Sequence, residues 1–541
     1  MWYNKNDKPF SSVKMEVGNM SMYLNPKNTG FQMALNSEIY IDKSEIIKQT
    51  NKIINTIQRF VCVSRPRRFG KSMTAEMLAA YYSRGCNSRE LFSGLKIAKA
   101  DSFEKHLNQY NVIHINMVNF LSEAKDIDEM ITFIEEDLID ELQTEFPDIR
   151  YPKRQTLLKV LAAIFSQTGI PFIFIIDEWD CIFRIHKNDT ASQTKYLDFL
   201  RNLLKDQSFV ALTYMTGILP IKKYGEHSAL NMFTEISMTD PREYAEFTGF
   251  TEQEVKSLCE KYNMPFDETR KWYDGYNLMG VSTYNPRSVV MSMTGGYFNN
   301  YWTSTETYEA LKVYIQMNFD GLKDMIARMI AGEKIPINFA KFQNDMTTFH
   351  SADDVLALLV HLGYLTCDFY TKEVWIPNSE IQQEFINSIE DGGWENVMAA
   401  IRQSDELLQA TLDCDEKKVA ELIEQSHQNN TSILKYNDEN SLACVISLAY
   451  YSARNSYVMY REMPAGKGFA DMIFVPRKSC TSPAFIVELK RNQTADSAIS
   501  QIKQKNYADC LQDYSGELLL VGISYSETTK EHSCIIEKIF K

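Results

Sequence analysis

The segment Pro171-Phe172-Ile173-Phe174-Ile175-Ile176 is apolar at every position and then stops on Asp177-Glu178-Trp179-Asp180. A strand with no polar side must be buried on both faces, which requires a parallel sheet covered by helices on each side. The flanking pattern agrees. Short β-rich stretches at 60–64, 112–118, 209–216 and 232–236 alternate with helix-like stretches. That alternation predicts an α/β fold. Carboxylates at the C-terminal tip of such a strand lie where open α/β sheets bind ligands.

Upstream, the strand-like Phe60-Val61-Cys62-Val63-Ser64 runs into Arg65-Pro66-Arg67-Arg68-Phe69-Gly70-Lys71-Ser72 and then a helix over 73–83. Strand, basic loop, Gly-Lys-Ser and helix form the layout of a phosphate cradle, with helix N–H groups and the helix dipole facing the anion. Lys71 is placed to reach the β/γ oxygens and Ser72 to ligate Mg²⁺. Arg65 stands where G-x-x-x-x-G-K-[ST] has its first glycine, while Gly70 is kept. Asp177 is then the expected Mg²⁺ partner, Glu178 the group that polarises the attacking water, and Thr216 a γ-phosphate sensor at the next strand's tip. The expected nucleotide contacts are Arg67, Arg68, Phe69, Gly70, Lys71, Ser72, Met73, Asp177, Thr216 and Arg287. Arg67 and Arg68 contact phosphate, reach a neighbouring subunit or protein partner, or stay solvated. Arg287 follows Asn285-Pro286 at a helix start and either supplies charge to the γ-phosphate or is a surface arginine.

Residues 240–300 read as a helical lid interrupted at 272–277 and 284–288. Between 353 and 389 the order helix, tight hairpin, helix resembles a winged-helix module. Past a linker at 429–432 the pattern becomes α-β-β-β-α-β: helix 439–454, strands 457–462, 470–476 and 484–489, helix 495–509 and strand 517–523. Glu488 and Lys490 are two apart on a strand and share a face, and Asp471 on the neighbouring strand can meet them. Asp471, Glu488 and the Leu489 carbonyl make a hard, oxygen-lined Mg²⁺ site. Lys490 beside it would orient a water and stabilise phosphodiester cleavage. Glu439 and Gln501, on the preceding and following helices, are candidate additions. The set matches the D…E-x-K pattern of PD-(D/E)XK nucleases; Phe469 departs from it, standing where relatives often carry a polar residue.

The chain has 541 residues, 44% hydrophobic and 24% charged, which excludes a disordered or collagenous protein and predicts several domains. No apolar run reaches about 18 residues, and Met1 to Lys8 lacks a signal-peptide core, so a cytoplasmic, non-membrane protein is expected. Ten scattered cysteines form no C-x-x-C pair. The formal charge of −14 argues against a general nucleic-acid coat, but it is unevenly spread. Residues 121–150 hold eleven acids against two bases, a net −9, whereas 461–510 hold eight bases against five acids, a net +3. Tyr460, Phe469 and Tyr507 interleave with those bases, as stacking on nucleic acid would use.

Asn25-Pro26 through Gly30-Phe31, Ile39-Tyr40-Ile41-Asp42-Lys43, the 65–72 loop, 176–180, Thr216-Gly217, 272–276 and 284–288 together resemble the bacterial AAA-ATPase-like family. That family is allied to archaeal-type and STAND ATPases and is frequently fused to a PD-(D/E)XK domain. The resemblance implies ATP as ligand and the loop's missing first glycine as a family variant. The expected organisation is an arm (1–30), a P-loop NTPase core (31–239), a helical lid (240–300), a helical, winged-helix-like region (301–430) and a restriction-endonuclease-like α/β domain (431–541). The function it implies is ATP binding or hydrolysis coupled to Mg²⁺-dependent cleavage of nucleic acid, DNA favoured. The alternative is a STAND-like regulatory ATPase that binds nucleic acid or a protein partner without cutting; on either reading a homo-oligomer or a protein partner is expected alongside nucleic acid.

Overall fold

The computed structural model describes residues 21–221, 230–302, 308–317, 319, 321–343, 346–390, 394–430, 439–465, 468–477, 480–507, 511 and 514–540. The chain forms two compact units, Met1–Ser64 with Gly70–Ile236 and Arg65–Phe69 with Ser237–Lys541.

In the first unit, β1 (Phe60–Ser64), β2 (Asn111–Asn116), β3 (Phe172–Asp177), β4 (Val210–Gly217) and β5 (Thr234–Ile236) form an all-parallel sheet in the order β2-β3-β4-β1-β5. Strands β1, β3 and β4 are buried at every position, as their unbroken apolar runs require. The strand inserted between loop strand and acid strand is therefore β4; β2, which follows the loop in sequence, takes the edge. Thr216 on β4 stands opposite Val63 on one side and Asp177 on the other. Of the expected arm, residues 1–20 lie outside the described residues, while 21–25 lie along the outer edge of β2. Leu24 bridges Ile113, the Asn25 N–H donates to the Val112 carbonyl at 2.6 Å, and the Asn25 side chain accepts from the Val112 N–H at 2.9 Å. That covers an edge that would otherwise be open to pairing.

The second unit opens with β6 (Phe250–Thr251), β7 (Tyr276–Leu278) and β8 (Val281–Tyr284), an antiparallel sheet ordered β6-β8-β7. The stretch 240–300, expected to be helical, is thus helices around a small sheet. Asn285 then caps the helix Pro286–Gly295 by accepting from the N–H groups of Arg287 and Ser288, with proline at the first position. Next come β9 (Ile335–Pro336), the helix Ala352–Leu362, β10 (Thr366–Cys367), β11 (Glu373–Trp375) and the helix Ser379–Glu390. This is the expected helix, hairpin, helix, with β9 added as a third strand.

At the C-terminus β12 (Tyr457–Ala465), β13 (Gly468–Pro476), β14 (Ala484–Arg491), β15 (Glu517–Tyr525) and β16 (His532–Phe540) form one sheet in chain order. Only β14 and β15 pair in parallel, joined through the helix Ala495–Gln504. Alternate residues serve two cores: Met472, Phe474, Phe485 and Val487 with Ile446 and Tyr450 on one face, Ile473 and Ile486 with Ile499 and Ile502 on the other. Among the described residues no helix is long and apolar enough to cross a membrane.

Candidate functional site

Gly70 has φ +85° and caps the helix Lys71–Tyr82. A Cβ there would meet nothing within 4 Å, so the left-handed backbone is what asks for glycine. The helix thereby starts at Lys71 rather than 73, and the first bond of its own ladder is from the Thr74 N–H to the Gly70 carbonyl at 3.0 Å, so the N–H groups of 71–73 precede that ladder. The Met73 side chain itself is exposed. Ser72 Oγ donates to Asp177 Oδ2 at 2.6 Å, joining the two elements within the first unit. Lys71 is buried, which pulls its ammonium below the usual range against the opposing pull of Glu178, Asp180 and Asp177. Burial pushes the Asp177 carboxyl up, opposed by Ser72 and Lys71. The Thr216 hydroxyl, fully buried beside Asp177, has no hydrogen-bond partner among the described residues.

Glu178 has φ +54° at the turn after β3, and burial raises its carboxyl while Arg184 and Lys71 draw it back. Arg184 Nη2 donates to Glu178 Oε2, and Arg184 Nε lies 3.1 Å from Asp180 Oδ2. Asp180 Oδ2 also accepts the N–H groups of Ile218 at 3.1 Å and Leu219 at 2.8 Å, just past Thr216-Gly217. Arg184 is absent from the expected set, although a base one helical turn after Asp180 is a readable signal.

The loop residues 65–69 take their contacts in the second unit. Arg65, in the place of the usual first glycine, is fully buried and donates from Nε to Thr248 Oγ1 at 2.9 Å. The Phe69 carbonyl accepts the Gly249 N–H at 3.0 Å, and the Phe69 ring meets Tyr276 edge-on at 5.1 Å. Arg65 thus anchors the loop, which accounts for an arginine where flexibility is usual. Arg67 is exposed, Arg68 adopts φ +68°, and Arg287 is exposed in the first turn of its helix.

The C-terminal set converges on the sheet face covered by the helix Ala495–Gln504. Pairing of Met472 with Val487 puts Asp471 opposite Glu488. Asp471 Oδ2 accepts the Leu489 N–H at 2.7 Å. Lys490 Nζ donates to Glu488 Oε1 at 3.0 Å, and Gln501 Nε2 donates to the same oxygen. Gln501 also donates to Tyr507 Oη at 3.0 Å, a buried tyrosine expected only as a stacking aromatic. Glu488 is 1% exposed, and its Oε2 is buried with no hydrogen-bond partner among the described residues. Burial, then the charge of Asp471, pushes its carboxyl up to about 7. An orphaned carboxylate oxygen beside a second carboxylate and a strand carbonyl fits a hard divalent cation. No group of three His, Cys, Asp or Glu side chains suited to a metal occurs among the described residues, so Leu489 would have to contribute its carbonyl. Glu439 begins the helix Glu439–Ala449, but its side chain, like that of Phe469, lies outside the described residues.

Residues 31–225 match the family model described as a predicted AAA-ATPase, and residues 437–534 match the PD-(D/E)XK nuclease superfamily. The chain joins an AAA-ATPase-like segment to a PD-(D/E)XK segment. The phosphate loop, Asp177 and Thr216 fall in the first of these, and Asp471, Glu488, Lys490 and Gln501 in the second. An uncharacterized protein in the vnfD 5′ region of Azotobacter chroococcum mcd 1 is 24% identical over 498 residues, covering 86% of this chain and 90% of its own. Among solved structures, the Walker-type ATPase PABY2304 of Pyrococcus abyssi is 13% identical with a TM-score of 0.34, covering 64% of this chain and 94% of its own. The Aeropyrum pernix ORC2 protein, in its ADPNP–ADP complexes, is 11% identical with a TM-score of 0.28, covering 68% and 98%. At those scores neither adds to what the strand order of the AAA-ATPase-like segment says by itself.

Proposed function

We propose that this chain binds and hydrolyses ATP in its AAA-ATPase-like segment, and that this gates a magnesium-dependent cleavage of nucleic-acid phosphodiesters in its PD-(D/E)XK segment, DNA being the favoured substrate. The observation that carries the reading is the convergence of Asp471, Glu488, Lys490 and Gln501 on one sheet face, with Glu488 Oε2 left unpartnered in the interior. Asp471, Glu488 and the Leu489 carbonyl would hold one Mg²⁺, and Ser72 with Asp177 the Mg²⁺ that accompanies ATP; either ion would supply Lewis-acid polarisation of a phosphoryl oxygen. Lys490 would orient the attacking water and Gln501 fix the Glu488 carboxylate. In the other segment Lys71 would neutralise the β/γ-phosphates, Thr216 would donate to the γ-phosphate, and Glu178 would accept the proton of the attacking water. Arg67, Arg68 and Arg287 are reserved for phosphate or partner contacts, and the five-part division at 30, 239, 300 and 430 is part of the same proposal, as is a cytoplasmic location.

The test uses the full chain with Mg²⁺ on single- and double-stranded DNA and RNA, with and without ATP. Lys490→Ala should abolish cleavage and leave ATP turnover intact; Lys71→Ala should abolish nucleotide binding and with it the ATP dependence of cleavage. Tight nucleic-acid binding without cleavage by the wild-type protein would replace this reading with the regulatory one.

A further inference from the structure

We propose that Arg184 is a positioning residue for ATP hydrolysis, holding the Glu178 carboxylate by one oxygen so that the other faces the attacking water. This deepens the reading of Glu178 as the base and rests on it. A buried general base needs a third group to fix its orientation, because a carboxylate free to rotate spends little of its time aimed at the water. Glu178 meets that requirement asymmetrically. Its Oε2 accepts from Arg184 Nη2, whereas Oε1 has no protein partner among the described residues, and the side chain keeps 22% of its surface exposed. One oxygen is occupied by the protein, and the partly exposed side chain leaves the other without a protein partner among the described residues.

Arg184 is in turn held rigidly. Its side chain is only 12% exposed, and its Nε lies 3.1 Å from Asp180 Oδ2, an acid that is itself fully buried. Asp180 is immobilised by the Ile218 and Leu219 N–H groups, which follow the β4 tip directly. The approach is close enough that a Cβ on Gly217 would come within 2.6 Å of Asp180 Oδ1. The order Leu219/Ile218, Asp180, Arg184, Glu178 thus links the strand tip that carries Thr216 to the orientation of the base. The balance of charge is consistent with an orienting role. Two cations, Arg184 and Lys71, face three acids, Asp177, Glu178 and Asp180, so the arginine is bound locally and is not spare charge directed at a ligand.

Steady-state ATP turnover of the full chain tests this, with Arg184→Ala, Arg184→Lys, Glu178→Gln and the double variant Glu178→Gln/Arg184→Ala. Loss of orientation should lower kcat about 10²-fold in Arg184→Ala, with KM for ATP within about threefold of wild type because uniform binding is untouched. Arg184→Lys, which keeps one donor for Oε2, should recover part of the loss. The double variant should be no slower than Glu178→Gln alone, since a residue acting through Glu178 has nothing to orient once that carboxylate is gone. Additive losses in the double variant, a rise in KM with kcat unchanged, or no recovery by lysine would overturn the assignment. If Arg184→Ala fails to fold, the lysine variant still decides, through kcat against KM. A wild-type protein that turns over no ATP would remove the hydrolysis reading together with this one, whereas wild-type turnover with additive losses would remove only the role of Arg184.

Discussion

The Thr216 hydroxyl is fully buried and has no hydrogen-bond partner among the described residues, yet it sits between the loop strand and the acid strand. An unsatisfied buried hydroxyl costs about 1–3 kcal/mol, so retaining it asks for a ligand-dependent use. Thr216→Val should therefore leave stability equal or raise it by about 1 kcal/mol while lowering kcat for ATP by about 10²-fold, the usual loss of one transition-state donor. Thermal melts paired with turnover check it, and a destabilised variant with normal turnover would reassign Thr216 to the core. At this scale the sequence was informative where chemistry dictates residue type. Lys71, Ser72, Asp177, Asp471, Glu488 and Lys490 all stood out by identity and spacing. Arg65 and Arg184 did not yield their roles, because an arginine's function depends on which acid or hydroxyl it meets, and Thr248 lies 183 positions from Arg65.

The helix Ser379–Glu390 carries a second buried acid pair that no sequence signal distinguishes from a solvated face. Glu380 accepts from Ser288 Oγ and from the Tyr301 and Trp302 N–H groups, and Glu384 accepts from Asn300 Nδ2, leaving its Oε2 buried without a partner. Burial pushes each carboxyl up to about 7, with the charge of Glu384 adding to the shift at Glu380. The folded chain then retains protons that the unfolded chain has released. The associated stability is fully present below the ordinary carboxylate pKa and is lost as pH rises through about 7. Glu384→Gln removes one such group. The melting temperature of that variant, relative to wild type, should rise from pH 5 to about pH 7 and level off above it, and a constant difference would exclude the effect. Element boundaries were legible where runs were long and apolar, as in β3. They were missed at β7 and β8, three and four residues joined through Gly280, and at β16, an edge strand of alternating burial beyond the last expected strand at 517–523.

Across the whole molecule, a chain of net −14 has its acids concentrated in the helix Ile127–Glu145 and its neighbours, while 461–510 holds a net +3. Counterion release ties salt dependence to the number of phosphates neutralised, and five of the eight bases at 461–510 are already ion-paired within the chain, so DNA binding in which about three bases of this segment contact phosphate should follow a log–log salt slope of about −3. Anisotropy titrations in chelator, which separate binding from cleavage, would measure it. A slope near zero would argue against phosphate contacts, and one beyond about −7, more than the eight bases of 461–510 can supply, would require basic residues elsewhere in the chain. The sequence by itself determined that two distinct site patterns share this polypeptide, since a doubly buried strand ending in acids and a D…E-x-K spacing are local patterns that depend on covalent neighbours and strand period. Only the tertiary structure decided which strand separates loop from acid, which oxygen of Glu488 is left unpartnered, and that Arg184 ties Glu178 to the β4 tip. Each of those depends on groups brought together across turns and strands, where burial rather than residue type sets the energy of a polar contact.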